Sequence, residues 1–375
     1  MKRIKLLMYT TIFCGGGAER TILDIINNIN LKKFEIILVV GRKNGIGYLK
    51  FLKRDKFIKY INLNSGDDED YKIPDLLAKI ITEEKPNICF APGIFTNFIL
   101  MDAIEKISYS GKIVIRESNY VSLRNLPKEA KDKITNQYNK CDKIISITKG
   151  IEKDLIKNYK VSKDKFILIN NPVEKELIRK NSLKKEKNAE FDKIKNKKII
   201  TVGRLEPQKN QIMLLKSFKK IKEKYHDVDL IILGQGSLLE ELQGQAKDLK
   251  IDEAVHFLGF VDNPYYYLKN SDVFVLTSKY EGFPHVLLEA MALEIPIIST
   301  NCLTGPKDIL KKGKLGYLVK VDDTEKMSKK IITLLKNNRK SLKKVKKAYK
   351  ETEKYLPEVI TQKYEKLFES VIDKG

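Results

Sequence analysis

Cysteine and histidine are scarce in this sequence, and their spacing excludes several chemistries at once. The four cysteines, Cys14, Cys89, Cys141 and Cys302, stand far apart with no C-x-x-C pair, which argues against a metal knuckle or a disulfide scaffold and fits a reducing cytosol. The three histidines, His226, His256 and His285, form no H-E-x-x-H pattern and no ligand cluster. Long apolar runs are also missing: no window offers the roughly 20 apolar residues that a membrane-spanning helix needs. The segment from Met1 to Tyr9 has the basic-then-apolar order of a signal peptide, but its apolar part is short and Phe13 before Cys14 spoils a small-residue cleavage site. A first buried strand is the better expectation there. Zinc-finger spacing, a basic zipper and an aromatic RNP strand are absent too, which argues against nucleic acid as a partner.

What is present is charge of one sign and a regular alternation of apolar runs. Across 375 residues the formal net charge is +23, a field that favours nucleotide diphosphates, nucleic acid or an anionic membrane face without choosing among them. Apolar residues make up 42% of the chain, an ordinary globular share, and the length suits two domains. Ile4–Tyr9, Ala18–Ile29 and Phe34–Val40 read as strand, helix and strand, with Ile22, Ile25, Ile26 and Ile29 on one helical face. Ile88–Ala91, Lys112–Arg116, Lys143–Thr148 and Lys165–Ile169 continue the series at helix-sized intervals, which predicts parallel strands joined by crossovers. A Lys-, Glu- and Asn-rich stretch follows Asn170-Asn-Pro-Val173, and alternation restarts with Lys198–Val202, Asp229–Leu233, Val255–Leu258, Val273–Thr277 and Ile295–Ser299. The expected class is therefore α/β: a doubly wound domain over residues 1–172, a linker over 173–197 and a second domain over 198–354. A C-terminal amphipathic helix over 355–375 would carry Val359, Tyr364, Leu367, Phe368 and Val371 on one face.

In open α/β sheets ligands sit beyond the carboxyl ends of strands, so the residues that follow each strand carry the functional signal. Gly15-Gly-Gly-Ala-Glu-Arg20 follows the first strand and opens a helix, letting backbone amides approach an anion. A tight strand-to-helix turn would favour the same glycines. Gly203-Arg204-Leu-Glu-Pro-Gln-Lys209-Asn210 places a planar guanidinium and an ammonium at a second such turn, suited to a diphosphate or equally to solvent. Tyr280-Glu281-Gly-Phe-Pro-His285-Val-Leu-Leu-Glu289 sets one carboxylate at a strand end and another about one turn into an apolar helix, where it needs partners such as sugar or ribose hydroxyls. Gly234-Gln-Gly236 lacks a third glycine. Asp68-Glu-Asp70 reads as a solvated acidic loop rather than a metal site.

Taken in order, these marks resemble the retaining GT-B glycosyltransferases of family 4. G-R-L-x-x-x-K-N at Gly203–Asn210, the Glu-x7-Glu of Glu281 and Glu289, Glu294-Ile-Pro-Ile, Gly305-Pro306, Leu315-Gly-Tyr-Leu-Val319 and Gly16-Gly-Ala-Glu-Arg20 together cover nearly the whole chain. The resemblance implies two Rossmann-like domains facing each other across a cleft, with the C-terminal helix returning to the first domain. It implies a cytoplasmic enzyme of bacterial surface-glycan synthesis, with no cofactor and no metal. Such an enzyme moves a hexose or N-acetylhexosamine from a nucleotide diphosphate, commonly UDP, to a glycan or polyprenyl-linked acceptor. Arg204 and Lys209 would hold the diphosphate and stabilise it as it leaves. Glu281 and the amides of Gly282 and Phe283 would lie against the sugar, Glu289 would grip the ribose, and Gly16 and Gly17 would let the first domain close on the diphosphate.

The sequence departs from the family at one place. Members often carry a histidine after the strand matching Lys112–Arg116, where this chain reads Ile115-Arg-Glu-Ser-Asn119, leaving Glu117 or Arg116 for that space and Glu117 as a catalytic candidate. An epimerase or phosphorylase on the same architecture is the rival enzyme reading. The basic-amphipathic stretches Tyr48–Tyr60 and Arg124–Lys140 fit an anionic membrane surface on the inner face of the plasma membrane, or equally a solvated helix face.

Overall fold

The computed structural model describes residues 3–44, 46–53, 58–66, 68–124, 126–186, 188–336 and 339–373. It divides into two compact units, residues 1–172 with 357–375, and residues 173–356.

The first unit is built on seven parallel strands: β1 (Ile4–Thr10), β2 (Phe34–Arg42), β3 (Ile58–Ser65), β4 (Ile88–Ala91), β5 (Lys112–Glu117), β6 (Lys143–Ser146) and β7 (Phe166–Leu168). They lie in the order β3-β2-β1-β4-β5-β6-β7. Helices cover both faces, so central strands read as continuous apolar runs: Leu6 to Tyr9 and Ile36 to Val40 are fully buried. The helix Gly17–Asn28 buries Ile22, Ile25 and Ile26 completely, and Ile29, its C-cap, is equally buried. The helix Pro357–Ile372 lies in the same core, with Ile360, Tyr364, Leu367, Phe368 and Val371 buried beside Phe34 and Phe90. Val359, expected on that face, is only half-buried and Ile360 takes its place. Phe368 meets Phe34 and Phe90 edge-on at ring distances of 6.2 and 5.9 Å, a favoured aromatic geometry.

Six parallel strands form the second unit: β8 (Lys197–Val202), β9 (Val228–Leu233), β10 (Val255–Gly259), β11 (Val273–Leu276), β12 (Ile297–Thr300) and β13 (Tyr317–Val319). Their order is β10-β9-β8-β11-β12-β13. The chain winds outward from β8 to β10, then returns to β8's other side and winds outward again, which puts the topological switch point between β8 and β11. In the first sheet the equivalent point lies between β1 and β4.

Residues 173–197, read from composition as a linker, instead carry the helices Lys175–Ser182 and Ala189–Lys193 within the second unit. Their few apolar side chains suffice as anchors. Ile178 is fully buried, and Phe191 packs against Tyr267 at 4.8 Å.

Truncating Phe368 removes a fully buried ring from between two strands of the first unit. Phe368→Ala should lower the unfolding free energy by about 3–5 kcal/mol, seen as a fall in the urea midpoint at unchanged slope.

Candidate functional site

The loops that follow β8 and β11 are joined by a set of named bonds. Gln208 Nε2 donates to the Tyr280 carbonyl at 3.0 Å, Lys279 N to the Gln208 carbonyl at 2.8 Å, and Thr277 Oγ1 to the Lys209 carbonyl at 2.9 Å. Asn210 takes a left-handed conformation at φ 53° and its amide donates to Asp322 at 2.9 Å. So held, Lys209 Nζ reaches Glu281 Oε1 at 2.6 Å. Their side chains are 18% and 7% exposed, a setting in which a charge needs its partner.

Glu281 is fixed from two further sides. Ser278 Oγ donates to the same Oε1 at 2.6 Å, and the Thr304 hydroxyl donates to the Glu281 carbonyl. Thr300 Oγ1 in turn holds the Ser278 carbonyl at 2.6 Å. Both side-chain bonds land on Oε1, which leaves Oε2 to accept from a hydroxyl brought to the strand ends. Burial, with the Glu281 charge behind it, pushes the nearby Cys302 thiol up to about 12, so Cys302 remains a thiol and is no nucleophile near neutral pH.

Glycines let backbone meet backbone around this pair. Gly305, at φ +76°, passes so close to the turn before Glu289's helix that an added Cβ would stand 2.4 Å from the Gly282 carbonyl. Gly234 and Gly236 press likewise on the segment holding Arg204: added Cβ atoms would lie 2.0 Å from the Gly203 carbonyl and 2.3 Å from that of Leu205. Gly234-Gln-Gly236 is therefore a support for the Arg204 loop. Arg204 itself is exposed, its carbonyl held by Gln211 at 2.8 Å.

Phe283 is 3% exposed and packs its ring on Tyr355 at 5.5 Å, which anchors the turn carrying the Gly282 and Phe283 amides. That turn starts the helix His285–Ala292, and Glu289 sits within it, 7% exposed, accepting from Tyr265 Oη at 3.4 Å. Lys209 and Glu281 are thus in contact, and Gly282, Phe283 and Glu289 follow on the same turn and helix. Ser278, Thr304, Thr300 and Tyr265 went unnoticed in the sequence, where single hydroxyls form no pattern.

Gly16, Gly17 and Glu117 belong to the first unit. Gly16 caps the helix Gly17–Asn28 beyond β1, at that sheet's own switch point. The Glu19 carboxylate folds back over it, with Oε2 lying 1.9 Å from where a residue-16 Cβ would be, so any side chain there would push Glu19 aside. Burial raises the Glu19 carboxyl, while the amides of Glu19 and Gly16 and the Arg116 charge pull it down. Glu117 ends β5, away from the switch point, and is fully buried. It accepts from Ser118 N at 2.9 Å, Asn119 N at 3.2 Å and Tyr138 Oη at 3.0 Å, and Asn97 donates to that same Tyr138. Every donor to Glu117 comes from its own surroundings, which makes it a brace for the 118–119 turn and the helix Lys128–Lys140. Arg116 beside it is 1% exposed and donates to Asn171. In the acidic loop, Asp70 is gripped by Arg42 at 2.6 and 2.9 Å, and Asp67 lies outside the described residues.

Across 98% of this chain and 100% of the other, the structure superposes on that of the Anabaena protein HepE in complex with UDP-glucose, with a TM-score of 0.80 at 18% identity. The chain has the GT-B glycosyltransferase fold. Residues 182–352, nearly all of the second unit of this GT-B chain, match the family model described as glycosyl transferases group 1. A Methanocaldococcus jannaschii glycosyltransferase is 45% identical over 100 residues, which are 27% of this chain and 25% of that protein. The Campylobacter jejuni N-acetylgalactosamine-N,N'-diacetylbacillosaminyl-diphospho-undecaprenol 4-alpha-N-acetylgalactosaminyltransferase is 33% identical over 141 residues, 38% of this chain and 36% of that protein. The matches thus span between a quarter and just over a third of these curated relatives' length.

Two measurements check this geometry. Ser278→Ala removes a buried hydroxyl from a charged acceptor and should cost about 2 kcal/mol of unfolding free energy, read from urea titration. Burial raises the Glu117 carboxyl above its usual value of 4.5, so its contribution to stability is full below that value and is lost as pH rises through the folded one. Glu117→Gln, which cannot ionise, should lose less stability than the parent as pH climbs above 4.5.

Proposed function

We propose that the protein is a retaining family 4 glycosyltransferase that moves a hexose or N-acetylhexosamine from a UDP-sugar to a glycan or polyprenyl-linked acceptor in bacterial surface-glycan synthesis. The observation that carries this reading is the Lys209–Glu281 pair, set where the loops after β8 and β11 meet at the switch point of the second sheet. It stands within the motif order from Gly203 to Glu289. The C. jejuni relative, named for transfer to an undecaprenyl-linked glycan, and the UDP-glucose complex of HepE support the acceptor and donor classes.

The chemistry asks chiefly for stabilisation of a departing diphosphate. Arg204 is exposed and free to bind it in a fork, and Lys209 adds a fixed point charge. Both are in place before the bond breaks, the condition under which such charges lower a barrier most. These cations supply the positive charge that a divalent metal would bring in other phosphate chemistry, so the transfer is metal-independent in this reading. Glu281 Oε2 and the Gly282 and Phe283 amides orient the sugar and Glu289 holds the ribose, while in the first unit Gly16 and Gly17 offer side-chain-free backbone to an anion. Glu281 is engaged by Lys209 and Ser278 and serves as an orienting carboxylate. As the bond from the anomeric carbon to the diphosphate oxygen breaks, the acceptor hydroxyl attacks the oxocarbenium-like sugar from the same face, its proton passes to the departing diphosphate oxygen, and the anomeric configuration is kept. We place the enzyme in the cytoplasm, at the inner face of the plasma membrane.

Arg204→Ala should lower turnover by about two to three orders of magnitude, the loss expected for one preorganised charge, measured as UDP release in a donor and acceptor screen. Near-normal turnover would remove Arg204 from the chemistry. Product formed without any acceptor would favour the epimerase reading, and a trapped glycosyl-Glu281 adduct would replace front-face attack by double displacement.

A further inference from the structure

Two basic-amphipathic stretches of the first unit, Tyr48–Tyr60 and Arg124–Lys140, fit an anionic membrane or equally a solvated face. In the helix Lys128–Lys140, Lys133 pairs with Asp102 at 2.5 Å and Lys140 with Glu105 at 2.7 Å, while Glu129 and Asp132 share the exposed face with Lys128 and Lys131. That surface is charge-mixed and largely neutralised from within. Of Tyr48–Tyr60, residues 54–57 lie outside the described residues.

The helix Arg339–Glu351 in the second unit is different. Arg339, Lys343, Lys346 and Lys350 recur at steps of four, three and four and fall on one stripe, with Lys347 and Leu342 on its flanks. All six are exposed, Leu342 at 50%. Among the described residues none of the five cations has an ion-pair partner. The helix's sole acid, Glu351, is taken by Lys311 at 3.3 Å and Lys354 at 3.0 Å. The opposite face fixes the helix in place: Ser341 and Ala348 are buried, and Lys344 turns inward over the Tyr317 ring at 5.1 Å. Lys175 sits 3.8 Å over the ring of Tyr349.

A stripe of cations without ion-pair partners among the described residues, with an exposed leucine at its edge, is complementary to an extended anionic surface having an apolar layer beneath. Lysine stems can lie along the surface while their ammonium groups reach lipid phosphates, and the leucine enters the interface. A nucleic acid offers the phosphates without the apolar layer. We propose that the exposed face of the helix Arg339–Glu351 docks the protein on anionic phospholipid bilayers. This docking does not depend on the transfer reaction proposed above, because it is read without any sugar substrate.

The test is co-sedimentation of the full chain with vesicles of phosphatidylcholine alone or of equimolar phosphatidylcholine and phosphatidylglycerol. The parent should bind the anionic vesicles, release them as salt rises, and ignore the neutral ones. A variant carrying Lys343→Gln, Lys346→Gln, Lys347→Gln and Lys350→Gln should bind about a thousandfold more weakly, as each lysine near the surface contributes separately. Glutamine keeps the helix propensity of lysine, and an unchanged melting midpoint certifies the fold. Lys346→Gln alone should give a smaller loss in the same direction. Lys128→Gln with Lys131→Gln, on the helix of mixed charge, should bind as the parent does. Parent-like binding by the quadruple variant, an equal loss in the Lys128/Lys131 pair, or retention of DNA but not of anionic vesicles by the parent would overturn the proposal. UDP release to a soluble acceptor, followed in parallel, reports the transferase reading separately.

Discussion

Two loops from opposite directions of winding meet at one ion pair, and the second unit is arranged around keeping it there. Lys209 and Glu281 are too enclosed for either charge to stand alone. Ser278, Thr277, Thr300 and Thr304 surround the pair with hydroxyl donors, and Gly305, Gly234 and Gly236 let neighbouring backbone press close. Enclosed charges answer weakly to solvent and strongly to what is brought against them, so a ligand's hydroxyl or phosphate would meet groups already oriented.

The two sheets use the same topology for unequal work. In the second, the switch point gathers the charged pair, and the Gly282–Phe283 turn continues from it. In the first, the corresponding position carries glycines and a folded-back Glu19, while the two charged residues that end β5 are buried. Arg116 and Glu117 are adjacent in sequence and both buried, so their bonds brace Asn171 and Tyr138. In open α/β sheets ligands bind beyond the strand ends that flank the switch point, and Arg116 lies close enough to Glu19 there to pull its carboxyl down.

The sequence made the central strands and the order of motifs legible because parallel strands buried on both faces leave unbroken apolar runs. β3 escaped notice because it is an edge strand: Lys59 and Tyr60 are exposed within it, and its alternation with polar residues resembles a basic surface stretch. The 173–197 segment misled for a related reason, since four scattered buried side chains, Val173, Ile178, Phe191 and Ile194, do the anchoring and composition averages them away. Glu281 and Lys209 were visible through their motif. Ser278 and Thr304 were not, because a hydroxyl gains meaning only from the carboxylate or carbonyl that folding sets beside it. Glu117's burial was equally hidden, as Asn97 and Tyr138 are remote along the chain.

The helix Pro357–Ile372 has a consequence for how the protein is made. Residues 1–172 are synthesised before 173–356 yet their core is finished after them, because Phe34 and Phe90 wait for Tyr364 and Phe368. While the intervening 173–356 unit is being synthesised, that apolar surface stands open to chaperones or to aggregation. A nascent chain that stops early therefore lacks more than its tail. It carries an incomplete first core, with Phe34 and Phe90 left uncovered by Tyr364 and Phe368.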